Sequence, residues 1–423
     1  MRLHFLRALS LFCGMCACPA ALLAQQSATR FQGATIDESS KKLGLGAPKS
    51  NLSELGHIIA PGIVFAPTMN METGYSSNPD ELFANAEGSL YGLANGTAVI
   101  GFLNSTGATT LTFRGTILQY DGDIANSSRW DAGLALDNAY AVAPNTVATF
   151  GAYYLRDEIA FVASDNEGAY GQLAYKEADF ESFGRLKFDQ IGYLGHVSSA
   201  TADPIALLFV QPSQFDVQRT EGVSGFIFGP QARIGVYGEL GGANLDYYSQ
   251  NVENLLDRDA TELWATGGLR FNLHPSLVVD AGWRVNARQV EDRQVSDPST
   301  HYFDGRVTWT PIANLSFVAE VDRGFVEPVS ALAVVGDKIH YGASMIYKAQ
   351  PDLEFGAALR HDQIEQIGEN LDYHETELSL SVAYQWNEKA TVYGLISNEH
   401  VEEQVTGQSY DKLQVGAGTK IRF

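Results

Sequence analysis

The sequence predicts an all-β protein, a transmembrane antiparallel β-barrel of about 18 strands, with 16 strands as the alternative count. Three observations predict this fold: long segments that alternate apolar and polar residues, aromatic residues at the ends of those segments, and connections that alternate between short and long. The barrel is predicted to fill residues 59–423, after a signal peptide over residues 1–24 and a flexible periplasmic leader over residues 25–58.

The first 24 residues have the layout of a secretory signal peptide. Arg2 and Arg7 give a basic start, residues 8–23 form an apolar run, and Ala24 is a suitable last residue before cleavage. The run is shorter than the roughly 20 apolar residues that a helical membrane span needs. All the cysteines of the chain lie inside this segment and match a lipoprotein cleavage site poorly: Cys13, Cys16 and Cys18.

The leader over residues 25–58 is polar and rich in Gly, Ser and Lys, with no sustained hydrophobic period. This composition predicts a flexible segment. The alternative is a short helix near residues 52–57 that plugs the barrel lumen.

The charge balance excludes nucleic acid as a partner. The chain has 28 basic and 50 acidic residues, a formal net charge of −22, whereas nucleic-acid binding needs a positive surface. Beyond the signal peptide no apolar run is long enough for a helical membrane span, so a helical membrane protein is excluded as well.

The predicted barrel segments have one apolar and one polar face, because successive side chains of a strand point to opposite sides. The last segment is the clearest, with an apolar face of Leu413, Val415, Ala417, Thr419, Ile421 and Phe423. Its other face carries Lys412, Gln414, Lys420 and Arg422. A soluble β-sandwich would alternate in the same way, but its strands average only about 5–6 residues. Several segments also end in aromatic residues, as a membrane barrel requires: Phe271, Trp309, Trp386 and Phe423.

Connection lengths orient the predicted barrel, because outer-membrane barrels have short periplasmic turns and longer extracellular loops. Short turns occur at residues 104–107, 143–145, 229–231, 274–276, 310–312, 349–351 and 386–388. Longer polar connections occur near residues 76–86, 121–128, 197–214, 249–260, 290–300, 326–337, 365–374 and 402–411. Both termini are therefore predicted to be periplasmic. Residues 163–200 are divided into a strand ending near Ala163, a strand through Tyr175 and a strand from Arg185 to Leu194.

The inward faces are predicted to collect charges of both signs. The candidates for a selective lumen are Arg270, Arg284, Arg306, Glu320, Glu354 and Arg360. Charged side chains that line a pore can orient solutes. The alternative, favoured for any individual residue, is that they form ion pairs that brace the interior. Surplus acidic residues in the loops would make the mouth of the barrel negative or would simply solvate the loops.

Two long connections contain apolar stretches, residues 204–212 and residues 328–335. An exposed apolar patch usually marks a contact. Either stretch could therefore fold into the lumen as a constriction, dock a partner, or extend a hairpin beyond the membrane. The constriction is assigned to the first stretch, with the candidate residues Leu207, Leu208 and Phe209.

Motifs for catalysis and metal binding do not occur in the sequence. The histidines that follow the signal peptide are scattered, with no HExxH motif, and no GxSxG nucleophile elbow is present. We therefore predict no catalysis, no metal and no cofactor.

The start of the barrel carries a run that resembles a known family. It comprises Glu54-Leu55-Gly56, Ile59-Ala60-Pro61-Gly62-Ile63-Val64, Gly74-Tyr75-Ser76-Ser77-Asn78 and Glu87-Gly88-Ser89. This run resembles the opening of the putative β-barrel porin family, in which a strand that begins with Pro ends near Tyr-Asp-Ser-Asn. Ser76 stands at the position of that Asp. The last residues, Lys420-Ile421-Arg422-Phe423, resemble the C-terminal aromatic signal that the outer-membrane barrel assembly machinery reads.

The resemblance covers residues 54–423. It implies an outer-membrane barrel of a Gram-negative bacterium, with lipid and the assembly machinery as partners and no catalytic residues. Some family members are similar to barrels that accompany polysaccharide export systems, so export components are further candidate partners. Two hypotheses follow. The chain forms a porin-like conduit for solutes or secreted polysaccharide, or it is a structural barrel with a filled lumen that binds partners through its loops or leader.

Overall fold

The computed structural model describes residues 56–78, 88–121, 128–157, 164–193, 216–247, 258–291, 297–326, 333, 335–368, 371–404 and 407–423. The strands in these residues are β1 (His57–Ala60), β2 (Ile63–Ser76), β3 (Ser89–Leu103), β4 (Gly107–Tyr120), β5 (Ser128–Ala143), β6 (Thr146–Asp157), β7 (Ser164–Lys176), β8 (Phe180–Tyr193), β9 (Val217–Phe228), β10 (Ile234–Tyr247), β11 (Ala260–His274), β12 (Leu277–Val290), β13 (Ser299–Ile312), β14 (Leu315–Val326), β15 (Val335–Gln350), β16 (Leu353–Ile367), β17 (Leu371–Asn387), β18 (Ala390–Glu403) and β19 (Gln408–Arg422). Within the described residues, no helix is long and apolar enough to cross a membrane.

Strands β2–β19 form one closed antiparallel sheet. Each strand pairs with its neighbours in the sequence, and the circle closes where β19 pairs with β2, with Ala417 opposite Thr73. The short strand β1 pairs with the beginning of β2, with Ile58 opposite Val64. The barrel therefore has 18 strands, which confirms the predicted count and rules out 16.

The two ends of the barrel differ in the length of their connections. At one end, called the turn end, two to five residues join the strands. At the opposite end, called the loop end, most connections are longer, such as residues 194–216. At the turn end, Asn104 Oδ1 accepts hydrogen bonds from the backbone N–H groups of Thr106 and Gly107, at 2.9 Å each. Asparagine suits this position because its side chain mimics a backbone turn.

Two details of the sequence-based division need correction. The predicted end of a strand near Ala163 is not one of them, because it lies outside the described residues, in which β6 spans Thr146–Asp157. Strand β8 begins at Phe180 rather than Arg185, after a short turn that was not predicted. His57 lies in β1 and not in a helix, whereas residues 52–55 lie outside the described ranges.

Side chains alternate between the two faces of the wall, as the sequence predicts. In β19, Leu413 and Val415 are 38% and 42% exposed on the outside, whereas Gln414 between them is 4% exposed on the inside. Exposed aromatic residues ring the outside near the loop end at Tyr75, Trp130, Tyr154, Trp283, Phe303 and Tyr341. They also ring it near the turn end, at Phe150, Phe228, Trp309, Phe355, Trp386 and Phe423. Two such girdles match the two interfaces of a membrane.

Candidate functional site

The barrel wall opens between β13 and β14 towards the loop end. Pairing between these two strands stops at Gly305 opposite Val321. Among the described residues beyond that point, β13 pairs only with β12, up to Ser299. Strand β14 likewise pairs only with β15, up to Val326 opposite Gly336. The ends of β14 and β15 form a hairpin that is separated from β13, whereas β15 stays paired with β16 up to Val335 opposite Ile367.

This hairpin, called the inner hairpin (residues 322–326 and 335–338), lies inside the barrel. Val335 forms a buried cluster with Val290, and Phe325 packs against this cluster. Val290 has the same strand parity as Asp280 and Arg288, which are buried on the inward face of β12. Arg258, just before β11, donates from Nε to the carbonyl oxygen of Ala333 at 3.0 Å. These contacts with strands that are not neighbours of β14 place the hairpin against the inner surface of β11 and β12.

The second apolar stretch of the sequence, residues 328–335, joins the two strands of the inner hairpin. Ala333 and Val335 are both 0% exposed, so the end of this stretch is buried inside the barrel. The sequence signal for this feature was the apolar run itself. The predicted constriction residues Leu207, Leu208 and Phe209 lie outside the described residues, so that assignment stays a prediction.

A pocket with a volume of about 180 Å³ lies between the inner hairpin and the wall. The hairpin contributes residues 322–326 and Lys338. The wall contributes Arg219 from β9, Glu262 and Trp264 from β11, and Arg284 and Asn286 from β12. The pocket thus combines charges of both signs with aromatic rings and an amide, a set of groups that can orient a polar solute.

Arg270 is held by a neighbouring strand. Its Nε and Nη2 donate to the two carboxylate oxygens of Asp280, at 2.8 and 3.0 Å. Such a bidentate pair fixes both side chains against the wall. Arg270 therefore follows the bracing alternative.

Arg306, Glu320 and Arg360 belong to a chain of charges that crosses β13–β17. Arg306 Nη1 lies 3.4 Å from Glu320 Oε2, and Glu320 Oε1 lies 3.9 Å from His340 Nε2. His340 Nδ1 lies 2.6 Å from Asp362 Oδ1, which shares its carboxylate with Arg360, whose Nε lies 3.5 Å from Oδ2. Arg360 also contacts the carboxylate of Glu375 in β17. The chain ties five consecutive strands together from inside the lumen.

Arg284 and Glu354 differ from the other four candidates, because neither forms an ion pair with another described residue. Arg284 Nε donates to Asn286 Oδ1 at 3.0 Å, and its guanidinium carbon lies 5.6 Å from the centre of the Trp264 ring. Glu354, near the turn end, interacts with Lys348 of β15 at longer range. Of the six lumen candidates, only Arg284 lines the pocket.

Two interior networks contain a carboxylate that the sequence analysis did not identify, Glu221 in one and Glu72 in the other. Arg185 Nη2 donates to Glu221 Oε1 at 2.8 Å, and both side chains are buried. At the closure of the barrel, Glu72 accepts hydrogen bonds from the hydroxyl groups of Tyr91 at 2.7 Å and Tyr393 at 2.8 Å. The inward strand parity of Glu221 and Glu72 was the signal that could have identified them.

The C-terminal residue is anchored at the turn end. The backbone N–H of Phe423 donates to the carbonyl oxygen of Pro67 in β2 at 3.2 Å, and the side chain is half-exposed on the outside. In the described part of the chain, no group of three or more His, Cys, Asp or Glu residues is arranged to hold a metal ion.

The chain superposes on solved structures of low sequence identity. The outer membrane protein opdK from Pseudomonas aeruginosa is 10% identical, with a TM-score of 0.49, over 85% of this chain and 99% of that chain. OccK9 (OpdG) from Pseudomonas aeruginosa is 10% identical, with a TM-score of 0.48, over 85% and 98%. A bacterial polysaccharide outer membrane secretin is 10% identical, with a TM-score of 0.38, over 84% and 98%. No curated protein matches the sequence.

Residues 62–423 match the family described as putative beta-barrel porin 2. The matched residues comprise β2–β19, which is the complete closed barrel. The match confirms the resemblance seen in the opening run and shows that the chain belongs to the putative beta-barrel porin 2 family.

Proposed function

We propose that the chain forms a conduit for small polar solutes across the outer membrane of a Gram-negative bacterium, and that the inner hairpin narrows this conduit. Family membership supports a porin-like barrel. The apolar outer face between two aromatic girdles fits a lipid bilayer. We assign the loop end to the cell exterior, because outer-membrane barrels carry their longer loops there.

The observation that carries this proposal is the position of the inner hairpin. A barrel of 16–18 strands is wide enough to leave an aqueous channel, and an unobstructed channel of that width would discriminate poorly among small solutes. The hairpin is held inside by the contact of Val335 with Val290 and by the hydrogen bond from Arg258. It brings charges of both signs, Asp322 and Lys338, to the pocket in the interior.

Single-channel recording on the protein in planar bilayers tests the conduit. We expect the wild-type chain to conduct in discrete steps. We expect several-fold larger steps from a variant in which a short Gly-Ser turn replaces residues 322–338, since the hairpin no longer occupies the lumen. Conductance no higher than that of bare lipid, for both proteins, would contradict the proposal.

A second replacement separates the two candidate constrictions. A Gly-Ser linker of equal length in place of residues 204–212 is expected to leave the conductance unchanged. An increase as large as that of the hairpin variant would transfer the constriction to Leu207, Leu208 and Phe209.

A structural barrel with a filled lumen is the second candidate function. Several inward polar side chains are almost completely buried, including Arg288, Asp362 and Gln366, each at 1% exposure. This favours an interior that is partly filled by its own side chains. Under this alternative both the wild-type chain and the hairpin variant stay closed, and a pull-down through residues 25–58 or the loops recovers binding partners.

We also propose, from the family resemblance, that the conduit serves a secreted polysaccharide. A passing sugar chain needs a wider lumen than a small solute, so the inner hairpin would have to move outward during export. A disulfide between cysteines placed at Val290 and Val335, which are in contact, would hold the hairpin in place. We expect gene deletion to abolish export, and the oxidised double-cysteine variant to block export while it still conducts small ions.

Two partners complete the proposal. The outer face would contact outer-membrane lipid, and Phe423 would be read by the barrel assembly machinery from its exposed position at the turn end. Polysaccharide export components would bind the barrel only if the conduit serves a secreted polysaccharide.

A further inference from the structure

The pocket beside the inner hairpin contains more charge than its ion pairs neutralise. Three of its cations are paired: Arg219 with Glu221 at 3.1 Å, Arg323 with Asp337 at 2.9 Å, and Lys338 with Asp362 at 2.7 Å. Its carboxylate Glu262 lies 3.9 Å from Arg219. These pairs leave the pocket with one further guanidinium, Arg284, and one further carboxylate, Asp322.

Arg284 and Asp322 have no ion-pair partner among the described residues. Arg284 uses only Nε for a hydrogen bond, to Asn286, and rests a face of its guanidinium near the Trp264 ring. Its charge interacts at longer range with the carboxylate of Glu239, and its two Nη groups, which donate no hydrogen bond to a described residue, can bind an anion. Asp322 interacts at longer range with the cations His340 and Lys338 and with the carboxylates Glu320 and Asp304, and its side chain is exposed.

Arg284 and Asp322 line the pocket from two different structural elements. Arg284 extends from β12, which is part of the barrel wall, whereas Asp322 belongs to the inner hairpin. A solute held between the wall and the hairpin would therefore meet a positive charge on one side and a negative charge on the other. The attraction between two opposite charges is stronger in a confined site than in bulk water, because the dielectric constant of the site is lower.

We propose that this pocket binds a small zwitterionic solute, whose anionic group pairs with Arg284 and whose cationic group pairs with Asp322. The proposal rests on the proposed conduit function and names its substrate class. A solute with a single charge satisfies only one of the two groups and leaves the other unpaired. A volume of about 180 Å³ admits an amino-acid-sized molecule.

Equilibrium dialysis with the full barrel, purified in detergent from membranes, tests the proposal with three matched probes. L-norvaline carries both charges, pentanoate lacks the amino group, and butylamine lacks the carboxylate. We expect L-norvaline to bind at least about tenfold more tightly than either single-charge analogue, because each analogue loses one charge-assisted hydrogen bond. Equal affinity for pentanoate and L-norvaline would show an anion site instead and would overturn the proposal.

Variants assign the two ends of the solute. We expect Arg284→Gln and Asp322→Asn each to weaken L-norvaline binding about tenfold. We expect the double variant to bind L-norvaline no more tightly than the wild-type barrel binds pentanoate. Lys420→Gln is the control, because Lys420 faces the lumen near the turn end and does not line the pocket. Heat-modifiable migration on a gel verifies that each variant forms a barrel.

Conductance recorded on the same preparations keeps the two proposals separate. A conducting wild-type channel that does not bind L-norvaline refutes the zwitterion site and leaves the conduit standing. L-norvaline binding by a barrel that does not conduct, even after replacement of the hairpin, refutes the conduit. Loss of binding in Lys420→Gln as large as in Arg284→Gln would show that the effect is one of overall lumen charge and would also overturn the proposal.

Discussion

The substitution Val335→Ala tests whether the inner hairpin is docked by apolar contact. Val335 is 0% exposed and packs with Val290, and Phe325 and Ile367 cover the same cluster. Removal of two buried methyl groups loses about 0.8 kcal/mol for each, and the cavity left behind brings the total to about 2 kcal/mol. That loss corresponds to about a 30-fold increase in the ratio of undocked to docked hairpin.

Single-channel recording measures this ratio directly, because undocking widens the lumen and produces a higher conductance level. We expect the fraction of time spent at that level to rise about 30-fold in Val335→Ala, until it saturates. The matched control is Val318→Ala, the same chemical change at a buried position of β14 where the strand is paired on both sides. The control is expected to lower barrel stability without changing the occupancy of the high level. If both variants show the same occupancy as the wild-type chain, the hairpin is not held by this cluster.

Three further predictions concern the wall and its assembly. Asp280→Ala leaves Arg270 without its bidentate partner. We therefore expect the free energy of unfolding, measured by urea titration of the barrel in vesicles, to fall by about 2 kcal/mol. An unchanged urea midpoint would show that lumen water replaces the carboxylate. Leu269→Arg places a charge on the lipid face. We expect it to lower the free energy of unfolding by about 2–4 kcal/mol in the same titration, and Leu269→Ala to lower it by less. Phe423→Ala is expected to lower the amount of barrel in the outer-membrane fraction of cells without changing its folding into vesicles; a parallel defect in vesicles would point to stability rather than recognition.

The strands of the barrel wall could be predicted from the sequence, because the alternation of their side chains depends only on neighbouring residues. Leu413, Gln414 and Val415 alternate between lipid and lumen, and this period of two residues is visible in the sequence. The tight turns also have local causes, as at Asn104. These two signals predict about 18 strands, and the strand pairing then excludes the alternative of 16.

The inner hairpin could not be predicted in this way. Phe325 and Val335 stand at positions that a wall strand would turn towards lipid, so their pattern fits a wall strand and an inner hairpin equally well. The difference lies in the partner that covers them, Val290, which is distant in sequence. A residue pattern records which face is apolar and does not record what packs on it.

The same limit applies to the four lumen candidates that form ion pairs, which are Arg270, Arg306, Glu320 and Arg360. Many inward side chains of this barrel are charged, and polar contacts such as that of Arg270 with Asp280 join neighbouring strands there. An ion pair of this kind needs an adjacent strand that presents the opposite charge in register. Asp322 lies at the first residue after β14 leaves β13, where the strand that would face it in a continuous wall is lost. The unpaired charges of the pocket therefore occur where the wall opens, and the same departure of β14 that narrows the lumen also leaves Arg284 and Asp322 available to a solute.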